Sequence, residues 1–184
     1  TVVYVTHDQT EAMSMADIVI LMKDGRIEQA GNPADLYLQP ATAFAAGFVG
    51  SPPMALLPAS ALPDAVIPPK TDAGRLTFGI RPEDLVLSTD TSTKAWGISA
   101  TVTGSEFLGA ETFVYVAIPG TSGATARLPG QVHIAPGTQV SLSWAGAAAH
   151  WFGEDGQRLA PTATREAARE PNTSFETDTA IPSL

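Results

Sequence analysis

A histidine near the start of the chain is the residue best placed to take part in chemistry. Segment 1–7 is a run of β-branched and aromatic residues that ends in Thr6 and His7. Because this run is apolar on both faces, it predicts a strand buried inside a parallel sheet. In open α/β sheets, ligands bind at the carboxyl ends of the strands. We therefore expect His7 to lie at a ligand-binding edge.

The remaining histidines and the tryptophans make weaker candidates. His133 lies in a predicted turn and His150 precedes two aromatic residues, so no two histidines have the spacing of a metal site. The chain is acidic, so its tryptophans are expected in the barrel core or at an interface rather than as stacking platforms for bases: Trp96, Trp144 and Trp151.

Composition excludes several classes of function. Ten basic and nineteen acidic residues give a net charge of −9, and no segment forms a basic patch, so nucleic acid is not expected as a partner. The chain has no cysteine, which excludes disulfides and thiolate catalysis. Its apolar runs, such as 18–22, fall far short of the ~20 residues that span a bilayer.

The first fifty residues read as alternating helices and strands. Asp8 and Glu11 predict a capping box at the start of a helix that runs to about residue 16. The Asp24-Gly25 pair predicts a tight hairpin between strands 18–22 and 26–29. Short helices are expected over 33–38 and 42–47, after a capping Asn32 and after Pro40.

A proline-rich break at 50–53 separates this segment from the rest, and we place a domain boundary there. Short strands without intervening helices are expected over 76–81, 85–88, 97–107, 112–118, 124–128, 139–144 and 149–152. They predict a small β-barrel or sandwich over 51–160. Within it, Arg81 is expected to form an ion pair or a turn with the acidic residues after Pro82. The segment 161–184 is expected to be a disordered tail.

The first fifty residues cannot complete a sheet by themselves. A buried parallel strand needs neighbours on both sides and helices on both faces, and 1–50 supplies only part of these. The chain also begins at Thr1 without a methionine. We therefore expect the missing strands to lie upstream, in a longer protein.

Five motifs, in the same order, resemble the carboxyl-terminal part of ABC transporter ATP-binding subunits of the maltose/glycerol-3-phosphate importer type. The segment VVYVTHDQTEAM at 2–13 is similar to the family's switch-histidine motif. The segment at 17–27 resembles its next hairpin, and 31–52 resembles the exit from its nucleotide-binding domain. GIRPED at 79–84 and LGAET at 108–112 are similar to segments of the OB-like regulatory (TOBE) domain.

The resemblance implies a fold and a role for His7. The fold would be an α/β remnant of a P-loop ATPase domain over 1–50, followed by an all-β OB-like (TOBE) barrel over 51–160. The implied cofactors of the longer protein are ATP and Mg²⁺. His7 would be the catalytic and nucleotide-binding histidine that contacts the γ-phosphate, which is charge-stabilising work that phosphoryl transfer needs.

Other parts of an ATPase are missing from this chain. It has no phosphate loop, no signature motif and no Asp-Glu pair to hold magnesium; 104–109 has two suitably spaced glycines but no following lysine. No metal ligands are therefore assigned. We expect the longer protein to be an ATPase and this chain alone neither to bind nucleotide tightly nor to hydrolyse it.

The family also implies partners and a location. The implied partners are a second copy paired through the barrel, transmembrane permease subunits, an external solute-binding protein acting indirectly, and a regulatory protein. The implied location is the cytoplasmic face of the membrane. An alternative is a stand-alone TOBE-type module that binds a small ligand or a regulatory protein. The coding sequence upstream of Thr1 distinguishes the two hypotheses: a phosphate loop and signature motif there support the ATPase subunit, and a start codon supports the stand-alone module.

Overall fold

The computed structural model describes residues 1–68, 72–90 and 97–160. The helices are α1 (Gln9–Met15), α2 (Pro33–Leu38) and α3 (Ala43–Phe48). The strands are β1 (Val19–Lys23), β2 (Arg26–Gly31), β3 (Ala55–Pro58), β4 (Thr77–Ile80), β5 (Val86–Ser88), β6 (Ile98–Phe107), β7 (Glu111–Ala117), β8 (Ala124–Pro129), β9 (Gln139–Ser143) and β10 (His150–Phe152). Single 3₁₀ turns cover Ala59–Ala61, Asp64–Val66, Ala73–Arg75, Pro82–Asp84 and Gly146–Ala148. The predicted disordered tail, 161–184, and Trp96 lie outside the described residues.

Each of the three α-helices in the described part of the chain begins at a side-chain cap. The carboxylate of Asp8 accepts from two amides of α1, and Asn32 and Thr42 cap α2 and α3 in the same way. The predicted capping box of α1 is only half formed. Glu11 accepts hydrogen bonds from the hydroxyls of Thr6 and Tyr4, and the Asp8 amide donates to Thr6 instead.

Strands β1 and β2 form the predicted hairpin. Asp24 and Gly25 have φ angles of 50° and 76°, the left-handed pair that a two-residue type I′ turn requires. Leu21 is the buried side chain of β1, and it packs with Leu36 and Ala45 in a small core beneath the hairpin. Hydrogen bonds of Glu28 and Gln29, in β2, with Thr42 and with the backbone of Gln39 and Ala41 join the hairpin to the α2–α3 segment as well.

The prediction of a buried strand over 1–7 is wrong for this structure. Residues 1–6 have no regular secondary structure, and Val2 and Val5 are 91% and 90% exposed. A strand needs a neighbour to accept its backbone hydrogen bonds, and no strand in the described part of the chain pairs with this segment. The residue pattern of this segment favours a β-strand, but a strand forms only where a neighbouring strand is present to pair with it.

The strands after residue 54 form two antiparallel sheets around one core, which confirms the predicted all-β unit. The larger sheet has the order β5-β9-β6-β7-β8, and the smaller has the order β10-β4-β3. Buried side chains of both sheets make up the core, including Phe78, Val102, Val114, Val140 and Leu142. Strand β3 was not predicted, because four residues that end in a proline give almost no alternation to recognise.

The chain returns from β10 to the first fifty residues. The Ala43 amide donates to the Gly156 carbonyl and the Arg158 amide to the Ala41 carbonyl, both at 2.8 Å. Ala46, Met54 and Phe152 are fully or almost fully buried in a cluster beside this contact. Packing is thus continuous across 50–53, and the domain boundary there stays a prediction.

Candidate functional site at the junction

His7 lies in the turn that precedes α1. Its side chain is exposed, and it makes no hydrogen bond or ion pair within the described residues. The neighbouring Asp8 turns its carboxylate toward the amides of α1, so it acts as a structural cap, as expected. The His7 side chain is therefore exposed to solvent just before a capped helix.

Gln9, the first residue of α1, connects the His7 turn by hydrogen bonds to the backbone at the end of α3. Its Nε2 donates to the carbonyl of Phe48 at 2.5 Å, and its Oε1 accepts from the Gly50 amide at 2.9 Å. Both functions of one side-chain amide are therefore used on a single stretch of backbone. The position of α1 depends directly on the geometry of residues 48–50.

Arg81 reaches the same stretch of backbone from the barrel. The residue is 3% exposed and directly follows β4. Nη1 donates to the Val49 carbonyl at 2.5 Å and Nη2 to the Tyr37 carbonyl at 2.6 Å, while the guanidinium lies 3.9 Å from the centre of the Tyr37 ring. Carbonyl dipoles and an aromatic face thus replace the water that a buried cation loses.

The predicted ion pair of Arg81 with its acidic neighbours is not what holds the guanidinium. The Glu83 carboxylate accepts a 2.5 Å hydrogen bond from the Tyr37 hydroxyl. Burial raises the pKa of Tyr37 to about 12, and this hydrogen bond adds to the rise. Burial lowers the pKa of Arg81, and the nearby Tyr37, Glu83 and Asp84 oppose that change. The predicted turn does form, as the 3₁₀ turn at Pro82–Asp84.

Gly50 is the residue that lets these groups approach. Its φ is +120°, and a Cβ there would lie 2.9 Å from Arg81 Nη1 and 3.3 Å from the Tyr37 ring. Any larger residue would have to displace the guanidinium. The sequence places a glycine and an arginine at these positions but gives no signal that they touch, since they are far apart along the chain.

The other candidate residues lie elsewhere and do not converge on His7. His133 is exposed in the loop before β9, whereas His150 is half-buried in β10. Burial lowers the pKa of His150 to about 4, and the positive charges of Arg158 and Arg81 lower it further. Trp144 and Trp151 pack against Phe78 in the barrel core, as predicted.

Side chains that could ligate a metal ion lie apart from one another in the described residues. Within them, no three His, Asp or Glu side chains come close enough to hold a metal ion. The two glycines of 104–109 belong to strand β6 and to the turn before β7, where Gly109 has a φ of +86°. None of the described helices is both long and apolar enough to cross a membrane.

The barrel is similar to a domain of a known family. A family model for the TOBE domain matches residues 78–152, which run from β4 to β10. Among solved structures, the cytoplasmic molybdate-binding protein ModG aligns over 41% of this chain and 60% of its own, with 17% identity and a TM-score of 0.37. That likeness is too distant to bear on function.

Curated relatives extend the match well beyond the barrel. The sn-glycerol-3-phosphate import ATP-binding protein UgpC of Chromohalobacter salexigens is 39% identical over 178 residues, which cover 91% of this chain and 48% of the relative. The uncharacterized ABC transporter ATP-binding protein y4oS of Sinorhizobium fredii is 41% identical over 87% of this chain and 46% of its own. UgpC of Rhizobium meliloti is 39% identical over 86% and 47%. The chain spans about half the length of these relatives, and over most of its own length it is similar to ABC transporter ATP-binding proteins.

Proposed function

We propose that the chain is the carboxyl-terminal part of the ATP-hydrolysing subunit of an ABC importer for a sugar, a polyol or a glycerol phosphate. Residues 1–50 are then the end of its P-loop ATPase domain, and 51–160 its regulatory TOBE barrel. The observation that carries the proposal is the 39% identity to a glycerol-3-phosphate import ATP-binding protein over 91% of this chain. That span is wider than the TOBE match and includes residues outside the barrel.

In this function, His7 is the residue of the chain that contacts the γ-phosphate of ATP. Its support is geometric: the side chain is exposed, free of partners among the described residues, and fixed to a capped helix whose first residue is anchored on 48–50. The phosphate loop, the signature motif and the carboxylates for Mg²⁺ would come from sequence upstream of Thr1. ATP and Mg²⁺ therefore belong to the longer subunit, and this chain alone should not hydrolyse ATP.

The proposed setting is the cytoplasmic face of the membrane. There, two subunits would pair through their barrels and dock on transmembrane permease subunits, and an external solute-binding protein would act on them indirectly. A regulatory protein is a further possible partner of the barrel. Nucleic acid is not a proposed partner, given the charge of −9.

The decisive experiment measures ATP hydrolysis by the longer subunit that contains this chain. His7→Ala should reduce turnover on the order of a hundredfold, because a positioned charge-stabilising group is lost. His133→Ala, a second exposed histidine that lies on the barrel, is the matched control and should retain turnover. Near-normal turnover in His7→Ala would refute the role given to His7.

A stand-alone binding module is the second candidate, and an open cleft beside the barrel is where a small ligand would bind to it. The cleft has a volume of about 450 Å³ and lies between the β3 region, with Met54 and Leu56, and the β7–β8 side of the barrel, with Tyr115 and Thr125. Thermal unfolding of this chain with and without molybdate, sulfate or glycerol tests it. A start codon at the 5′ end of the coding sequence for Thr1 would support this candidate, and an upstream phosphate loop and signature motif in frame would reject it.

A further inference from the structure

The hydrogen bonds of Gln9 and Arg81 end on the same peptide group. Arg81 Nη1 donates to the carbonyl of Val49, and the amide of the next residue, Gly50, donates to Gln9 Oε1. The carbonyl and the amide that join these two residues lie in one rigid plane. A side chain from α1 and a side chain from the barrel therefore hold opposite ends of one plane.

This arrangement makes the two contacts interdependent. Tilting the plane to follow one partner misaligns the hydrogen bond to the other, since hydrogen bonds weaken steeply as they bend. Each bond also polarises the shared peptide group and strengthens the other, especially where water is excluded. Because Gly50 has no Cβ, the guanidinium lies directly against this plane with no side chain between them.

The contact is one of several that join the two parts of the chain. The backbone pairing of 41–43 with 156–158 and the apolar cluster of Ala46, Met54 and Phe152 join them independently. The Gln9 side chain is also partly exposed, so its hydrogen bonds fix the position of α1 while adding little to the free energy of unfolding. What the shared peptide plane adds to these other contacts is a link between the position of α1 and the position of Arg81.

We propose that the Val49–Gly50 peptide group is a coupling element through which a displacement of the His7 turn reaches the barrel, with Gln9 and Arg81 as its positioning residues. Gln9 lies two positions after His7. The path from His7 to the barrel therefore runs through the first residue of α1, the Val49–Gly50 peptide plane and the Arg81 guanidinium. The use of this path to link nucleotide state to the barrel rests on the proposed function. The coupling itself is a property of the described residues and does not require ATP.

The test uses this chain and hydrogen exchange followed by NMR. Gln9→Met keeps the length of the side chain and removes both hydrogen bonds. It should speed exchange of the Arg81 guanidinium protons by roughly three- to tenfold, the equivalent of losing the support of about one hydrogen bond. By reciprocity, Arg81→Lys should speed exchange of the Gly50 amide, and the effects of Gln9→Met and Arg81→Lys on this one amide should not add.

Matched controls separate coupling from general destabilisation. Ser14→Ala lies on the same helix and removes one exposed hydrogen bond, to the Glu11 carbonyl, so it should leave exchange at Arg81 within about twofold. Backbone amides of Val114 and Val140, in the barrel core, should keep their protection in Gln9→Met. Unchanged Arg81 exchange in Gln9→Met, additive effects, or faster exchange throughout the barrel would overturn the coupling.

Failure of this proposal and failure of the proposed function give different results. If His7→Ala leaves ATP turnover intact while Gln9→Met still loosens Arg81, the coupling stands and the role of His7 is rejected. If His7→Ala removes ATP turnover while Gln9→Met leaves exchange of the Arg81 guanidinium protons unchanged, the coupling is rejected and the role of His7 stands.

Discussion

The guanidinium of Arg81 shows how one residue can organise a junction. Arginine stays charged when it is buried, so its position is acceptable only where carbonyls or an aromatic face surround it. Here the carbonyls of Tyr37 and Val49 and the ring of Tyr37 provide that surrounding. Removing the guanidinium would leave these groups buried and unpaired, so the residue specifies the path of the chain from α2 to 50.

His150 gives a prediction for the dependence of stability on pH. Its folded pKa of about 4 lies below the unfolded value of 6.5, because burial disfavours the charged ring. Below pH 6.5 the unfolded chain therefore binds more protons than the folded chain, and stability falls as the pH drops through 6.5 toward 4. Above pH 6.5 this residue contributes no dependence on pH.

The measurement compares urea unfolding of the protein and of His150→Gln at pH 7 and at pH 4.5. The protein should lose about 1 kcal/mol more than the variant over this interval, a figure reduced from the full shift because the ring is only half-buried. The carboxylates are the same in both proteins, so their titration cancels in the comparison. Equal losses of unfolding free energy in the protein and the variant would show that burial does not lower the pKa of His150.

At this scale the sequence predicted local roles better than distant ones. The capping by Asp8 and the core positions of Trp144 and Trp151 follow from neighbouring residues, and the structure confirms them. The partners of Arg81 could not be predicted, because they lie 32 and 44 positions away along the chain. The role of His7 stays a prediction, since most of the groups it would act with are not in this chain.

The elements show where local signals are sufficient. The hairpin of β1 and β2, the capped helices α2 and α3, and seven of the barrel strands were predicted from turn residues, caps and alternation. Strand β3 and the return of the chain to α3 were not, because both depend on tertiary partners rather than on their own pattern. The failure at 1–7 has the same origin, since a strand-forming segment without a neighbour is not a strand.

Gly79 in the centre of β4 gives a prediction at the scale of the element. A Cβ there would lie 2.6 Å from Met54 Sδ and 2.9 Å from the Phe152 ring. The strand is paired on both sides, by β3 and β10, so it cannot move away. Gly79→Ala should therefore destabilise the protein by about 1–3 kcal/mol through overpacking.

Gly104→Ala is the matched control for this substitution. Gly104 also lies inside a strand, β6, but the nearest atom to its added Cβ is on the Tyr115 ring at 4.0 Å. Its free energy of unfolding should change by less than about 1 kcal/mol. Equal effects of the two substitutions would mean that strand propensity, not the contact with Met54 and Phe152, limits position 79.

The whole molecule has an uneven surface. Large apolar side chains are exposed on the first part of the chain, including Val2, Val3, Val5, Ile18, Ile20, Met22 and Ile27. Exposed apolar side chains in this number favour association. The strands β1 and β2 also pair only with each other among the described strands, so each has an open edge.

We expect the chain to self-associate through this surface. Ile20→Lys places a charge on a side chain that is 56% exposed and should weaken association about tenfold, as measured by sedimentation equilibrium. Leu108→Lys, at a 51% exposed position in the barrel turn after β6, is the matched control and should leave association unchanged. The opposite pattern would favour pairing through the barrel.

The pairing of 41–43 with 156–158 has a consequence for the order in which the protein is made. Helix α3 leaves the ribosome early, but its partner backbone is among the last of the described residues to be synthesised. At ordinary rates of translation the interval is on the order of ten seconds. During it, the start of α3 lacks its backbone partners and Ala46 lacks Phe152, so a nascent chain has a vulnerable stage that the finished protein does not show.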